Sequence, residues 1–320
     1  MLVVRGHSDV PAAARGAVLA IGNFDGVHRG HQALIATARD LATKTPDTPA
    51  GVMIFDPHPR AVFQPNVAHF QLTPLDEKLD LLARYGVEVA IVLPFDAAFS
   101  SLTAEAFIRD VLLRALAIRH VIVGYDFHFG AKRGGSPATL VEASRLHNFG
   151  ATVVSPVGDG EPISSTAIRK ALVAGEVAEA ARLLGHWWRV SGIVKGGAKR
   201  GTGMGYPTAN ITLPAGTTIG HGIYAARLHV GDAVHAGAAY LGTRPTFDNG
   251  APVLETFLLD FDGDLYGHRI AVEFIAHVRP DQRFDDVPAL VAQMDRDVDV
   301  VRARLAVIAE NDPYAWPPQP

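Results

Sequence analysis

Apolar runs of four to seven residues recur between residues 17 and 154, and helix-period stretches separate them; no other feature constrains the fold as strongly. The runs are 17–21, 51–55, 87–93, 120–124 and 151–154. Between the first two, Leu34, Ile35 and Ala38 fall at helical spacing. Thr73 reads as an N-cap, with Pro74 in the first turn and Leu75, Leu79 and Leu82 on one face. Further helices are predicted over 103–116 and 139–148. This rhythm predicts an α/β fold with a doubly wound parallel sheet, whose ligands bind beyond the carboxyl ends of the strands.

The loop after the first run is Gly22-Asn23-Phe24-Asp25-Gly26-Val27-His28-Arg29-Gly30-His31. A helix that starts from such a glycine-lined turn offers unpaired N–H groups and the positive end of its dipole to an anion. His28 and His31 lie about one turn apart, so both imidazoles reach one pocket and can donate to phosphate oxygens. Gly30 lets a triphosphate approach the backbone. Two blander readings stand beside this one: an Asn/Asp/Gly turn carrying surface histidines, and a His/Asp metal site. Without any Cys or an HExxH pattern, zinc fits less well than phosphate.

Later loops carry chemistry too. Asp56-Pro57-His58-Pro59-Arg60 presents His58 and Arg60 from a stiff turn, and 125–135 interleaves aromatics with charge around Asp126. Ser164, Ser165 and Thr166 open a helix that brings Arg169 one turn later. One hydroxyl suffices for a cap; three with an arginine suit a triphosphate.

The 320 residues, 48% of them hydrophobic, suffice for two domains. A formal charge of −4 with 19% charged residues gives no sign of a nucleic-acid partner. Zero Cys suits a reducing cytoplasm, and no run reads as a signal peptide or a membrane span, so a cytoplasmic protein is expected. A homo-oligomer is left open.

The texture changes after Gly185. Strand-like runs at 222–230, 253–259 and 270–275 suggest an antiparallel β-barrel. Leu290, Met294, Val298, Val301, Leu305 and Ile308 form one stripe of a C-terminal helix that Asp285 or Asp286 can cap, and the proline-rich tail 311–320 is expected to fray. The glycine-rich segment 195–210 can wrap phosphate with Lys199 or Arg200 nearby, although it is not a Walker loop. Thr208 and Asn210, two apart in extended chain, face one side and can hold a hard cation. Glu255 sits in an apolar strand, either as an outward alternation or as a general base.

The run GNFDGVHRGH resembles the HxGH form of bacterial bifunctional riboflavin kinase/FAD synthetases, and GMGYPTAN with LETFLLDFDGDLYG resembles the kinase blocks of the same family. The resemblance spans roughly Ala17 to Leu305 and implies an FMN adenylyltransferase domain over 1–185 and a riboflavin kinase domain over 186–320. It implies phosphorylation of riboflavin by ATP to FMN, then adenylylation of FMN by a second ATP to FAD, with Mg²⁺ in both steps.

By the same resemblance, His28 and His31 stabilise the adenylyl-transfer transition state; Gly22, Asn23, Phe24, Asp25, Gly30, Ser164, Ser165, Thr166 and Arg169 line its ATP site; and His58 and Asp126 sit on the flavin side. In the kinase, Lys199, Arg200, Gly201, Gly205 and Pro207 belong to the ATP loop, Thr208 and Asn210 hold the metal, and Glu255 is the catalytic base. Tyr125 and Thr202 depart from the residues many members carry there. The rivals are a transferase for another phosphate acceptor, a chain with one live activity, and a flavin-storage protein without chemistry.

Overall fold

A computed structural model describes residues 1–158, 161–195, 208–243 and 252–317. The chain divides into two compact units, Met1–Ser165 and Thr166–Trp316.

The first unit is built on six parallel strands: β1 (Leu2–Arg5), β2 (Val18–Ile21), β3 (Ala50–Asp56), β4 (Val89–Pro94), β5 (His120–Gly124) and β6 (Gly150–Val154). Their order is β1-β4-β3-β2-β5-β6. From β2 the chain winds outward through β3 and β4, then returns to lay β5 on the other side. The order therefore reverses between β2 and β5, and the crevice beyond their carboxyl ends is where such sheets bind ligands. All four residues of β2 are buried, as a central parallel strand requires.

Helices α1 (Arg29–Thr43), α2 (Pro59–Phe63), α3 (Leu75–Arg84), α4 (Ala97–Ser100), α5 (Ala104–Ala106) and α6 (Pro137–His147) fill the connections. The predicted 103–116 helix is α5 continued by a π-helical Phe107–Ala115. Helix α6 carries a Ser136/Thr139 capping box.

Two local expectations change. Strand β1 escapes sequence reading because it is a short edge strand in which only Val4 is buried. The N-cap of α3 is Pro74, and Thr73 instead accepts a hydrogen bond from the Gly26 N–H at 2.9 Å.

The second unit takes α7 (Ser165–Val173) from its second residue onward, α8 (Val177–Leu184) and a closed barrel. Gly185 ends α8 in the left-handed region at φ 80°, where glycine is unstrained. The barrel strands are β7 (Arg189–Lys195), β8 (Ala209–Ile211), β9 (Gly222–Val230), β10 (Ala233–Thr243), β11 (Pro252–Leu258) and β12 (Arg269–Arg279), in the closed order β10-β11-β8-β7-β12-β9. Every pairing is antiparallel.

Side chains alternate along the facing stretches of β8, β10 and β11: Ala209, Ile211, Leu254, Thr256, Ala239 and Leu241 are buried, while Asn210, Glu255 and Tyr240 between them are half-buried. Helix α9 (Val287–Glu310), capped by Asp286, lays Val301 and Leu305 against Ile275, Ala225 and Trp187. Within its stripe Asp297 is also buried, gripped by the Arg279 guanidinium at 2.8 Å.

The tail does not fray before residue 317. Asp312 accepts hydrogen bonds from Trp187 Nε1 at 2.8 Å and from the Tyr314 N–H, and it pairs with Arg227 at 2.6 Å. Trp316 donates to the Trp187 carbonyl, and the Arg189 guanidinium lies 3.1 Å from its ring centroid. Aromatic and ionic anchors outweigh the proline content that suggested disorder.

Candidate active sites

In the first unit the loop from Gly22 to His28 leaves β2 at the switch point and delivers the chain into α1. Its turn is tight: Phe24, Gly26 and Val27 all have positive φ, at 49°, 88° and 42°. Two non-glycine residues in the left-handed region cost free energy and persist only under outside restraint.

The restraint is visible. Asp25 Oδ1 accepts from the backbone N–H groups of Leu72 and Thr73 at 2.9 and 3.2 Å, Thr73 Oγ1 holds the Gly26 N–H, and Lys78 Nζ donates to the Asn23 carbonyl at 2.9 Å. Ser165 Oγ donates to the Asp25 carbonyl at 2.8 Å. Phe24 is fully buried beneath the loop.

His28 is the N-cap of α1: its Nδ1 accepts from the His31 N–H at 3.4 Å. Acceptance at Nδ1 leaves the ring proton of the neutral imidazole on Nε2, a donor for a ligand. The rings of His28 and His31 stack with centroids 3.6 Å apart and planes 19° from parallel. Burial, the neighbouring His28 and the Lys78 ammonium hold His31 well below the usual imidazole range. Among the described residues, the buried His31 Nδ1 has no hydrogen-bond partner. A Cβ on Gly30 would meet the His28 ring at 3.2 Å, so glycine there also seats the imidazole.

The remaining predicted residues of this site are distributed. Ser164 is half-buried beside Ser165, whereas Thr166, exposed, and Arg169, half-buried, belong to the second unit on α7. His58 caps α2 by accepting from the Arg60 N–H at 3.1 Å, and its ring lies 4.5 Å from that of His69. Asp126 is exposed just after β5, and Tyr125 beside it is also exposed. Both loops leave the same carboxyl edge of the sheet, after β3 and β5. Sequence reading missed Lys78 and Thr73. The legible signal was a lysine on the apolar stripe of α3, between Leu75 and Leu82.

In the second unit, strand register makes the site. Glu255 on β11 lies directly opposite Asn210 on β8, and Asn210 lies opposite Lys195 on β7. Tyr240 on β10 flanks Glu255 from the other side. Directly opposed residues share a face, so Lys195, Asn210, Glu255 and Tyr240 form one row on the outside of the barrel. Thr208, half-buried, precedes β8 two residues before Asn210. Lys199, Arg200, Gly201, Thr202, Gly205 and Pro207 lie outside the described residues.

A row of amide, carboxylate and ammonium supplies hard oxygen donors and a base beside an anion-compatible charge. Among the described residues no group of three or more His, Cys, Asp or Glu is placed to hold a metal, and no helix is long and apolar enough to cross a membrane.

A glycine-lined loop entering a helix at a parallel-sheet switch point in one unit, and a carboxylate beside an amide on a barrel wall in the other, suit a two-site transferase. The family model described as FAD synthetase matches residues 10–167, and that described as riboflavin kinase matches 184–305. The bifunctional riboflavin kinase/FMN adenylyltransferase of Escherichia coli K12 is 41% identical over 300 residues, covering 93% of this chain and 96% of that protein. Its namesake from Pseudomonas fluorescens is 38% identical over 313 residues, covering 97% and 100%.

A crystal structure titled a macrolide-efflux protein from Streptococcus pneumoniae superposes with a TM-score of 0.85 at 31% identity, over 94% of this chain and 99% of that one. The chain belongs to the bifunctional riboflavin kinase/FMN adenylyltransferase family.

Proposed function

We propose that the two activities of the family are divided between the two clusters: adenylylation of FMN at His28 and His31 within 1–185, and phosphorylation of riboflavin at Glu255 within 186–320. One observation carries the division: the stacked histidine pair lies in one compact unit and the Glu255–Asn210 pair in the other.

In the kinase, the Glu255 carboxylate takes the proton of the ribityl 5′-hydroxyl as its oxygen attacks the γ-phosphorus of ATP, giving FMN and ADP. Thr208 Oγ and Asn210 Oδ1 are the hard donors that would hold Mg²⁺ there, a fit supported by Asn210 standing opposite Glu255. When bound, the ion neutralises phosphate charge. Lys199, Arg200, Gly201, Gly205 and Pro207 complete the ATP loop.

In the adenylyltransferase, a phosphate oxygen of FMN attacks the α-phosphorus of a second ATP and pyrophosphate leaves, giving FAD. His28 Nε2–H and the His31 imidazole donate to the phosphate oxygens as charge builds, so no covalent enzyme intermediate is required. Gly22, Asn23, Phe24, Asp25, Gly30, Ser164, Ser165, Thr166 and Arg169 bind ATP, and His58 and Asp126 face the flavin. The absence of cysteine fits work in the cytoplasm.

The test is a time course with riboflavin, ATP and Mg²⁺, separating flavins. FMN appears first and FAD follows; FAD formation that survives His28→Ala overturns the assignment of the first cluster.

A further inference from the structure

Lys78 stands out among the buried side chains. Its residue is 2% exposed, on the apolar face of α3 beside Leu81 and Leu82, where a leucine or methionine would fill the space without the desolvation cost of an ammonium. Among the described residues its ammonium makes one hydrogen bond, to the Asn23 carbonyl. Burial holds the Lys78 ammonium below the usual lysine range, and the carboxylates of Asp25 and Asp56 only partly oppose this. An ammonium has three donors, so burying one for a single main-chain oxygen points to a function in that oxygen's placement.

The Asn23 carbonyl opens the turn in which Phe24, Gly26 and Val27 carry positive φ. Asp25 and Thr73 clasp the middle of this turn to the segment that begins α3. Lys78 clasps its start from the first turns of the same helix.

We propose that Lys78 is a positioning residue of the adenylyltransferase: its ammonium pins the Asn23 carbonyl and holds the strained Asn23–Val27 turn in the shape that presents His28 and His31 to the nucleotide. This rests on the assignment of adenylyl transfer to the histidine pair. The ammonium also places positive charge near His31, as His28 does when protonated; it therefore disfavours a proton on His31 and keeps the stacked pair from being doubly charged.

The test compares Lys78→Met, Lys78→Arg and His28→Ala in the full-length protein, following FMN-to-FAD conversion, riboflavin-to-FMN conversion and the imidazole titration of His31 by NMR. Lys78→Met is expected to lower kcat/KM for FAD formation at least tenfold and to raise the pH at which His31 titrates. Riboflavin phosphorylation stays within twofold. Lys78→Arg, which keeps donor and charge, recovers most of the rate and the wild-type titration.

Wild-type FAD formation and an unmoved His31 titration in Lys78→Met overturn the proposal. Should that variant lose its dispersed imidazole signals, Lys78→Gln replaces it: an upward His31 titration with slowed FAD formation supports the proposal, and wild-type values overturn it. If His28→Ala itself retains FAD formation, the site assignment has failed and not the role of Lys78 alone.

Discussion

His28 and His31 face each other as stacked rings 3.6 Å apart, with His28 also capping the helix that carries His31. One imidazole thus fixes the backbone from which the other projects. Two cations at that separation repel strongly, so the arrangement favours the neutral pair.

Acid should therefore weaken the first unit. His31 is held below its usual range in the folded protein, so the unfolded chain binds its proton first as pH falls. The stabilising contribution is complete above about 6.5 and declines below it, by at most about 1.4 kcal/mol per pH unit. Thermal unfolding of the His31→Gln variant alongside the parent between pH 8 and 5 checks this: the parent should lose more stability on acidification.

Gly30→Ala places a methyl group 3.2 Å from the His28 ring. Alanine improves helix propensity by up to about 1 kcal/mol, so global stability should change little. FAD formation should fall by about tenfold or more because the imidazole is displaced. Steady-state rates for both conversions on the same preparation separate this from misfolding.

Glu255→Gln keeps the shape of the side chain and removes the carboxylate proposed as the base. FMN formation is expected to fall by about 10²- to 10⁴-fold, while FAD formation from supplied FMN stays within twofold. Parallel loss of both conversions would contradict two separate sites.

Asp312→Ala should destabilise the second unit by about 3 kcal/mol, because it leaves Arg227 without one of its carboxylates and Trp187 Nε1 without its acceptor. Urea unfolding monitored by tryptophan fluorescence reads this directly, since Trp187 is buried in the affected cluster.

Much of this molecule was legible beforehand because its signals are local. Five of the six parallel strands show as apolar runs, the barrel shows as closely spaced strand-like runs, and α9 shows as a stripe. What stayed hidden depends on distant partners. Val4 alone of β1 is buried, and its pairing partner β4 lies far along the chain, with Leu2 opposite Val89. Thr73 looked like a cap because its use by Gly26, 47 positions earlier in the chain, has no local trace. The tail looked loose because its anchors, Trp187 and Arg227, lie far away in sequence. Lys78 was overlooked for a related reason: its purpose lies in a carbonyl 55 residues upstream.

Glu255 and Thr256 are neighbours on β11 that point to opposite sides of the barrel wall, one outward beside Asn210 and one fully buried inside. A single-residue insertion or deletion within β11 would exchange them, sending a carboxylate into the apolar interior and a hydroxyl to the outward place beside Asn210. Evolutionary length variation in this half of the protein should accordingly be confined to the connections between strands, with β8 and β11 keeping fixed phase across every functional descendant.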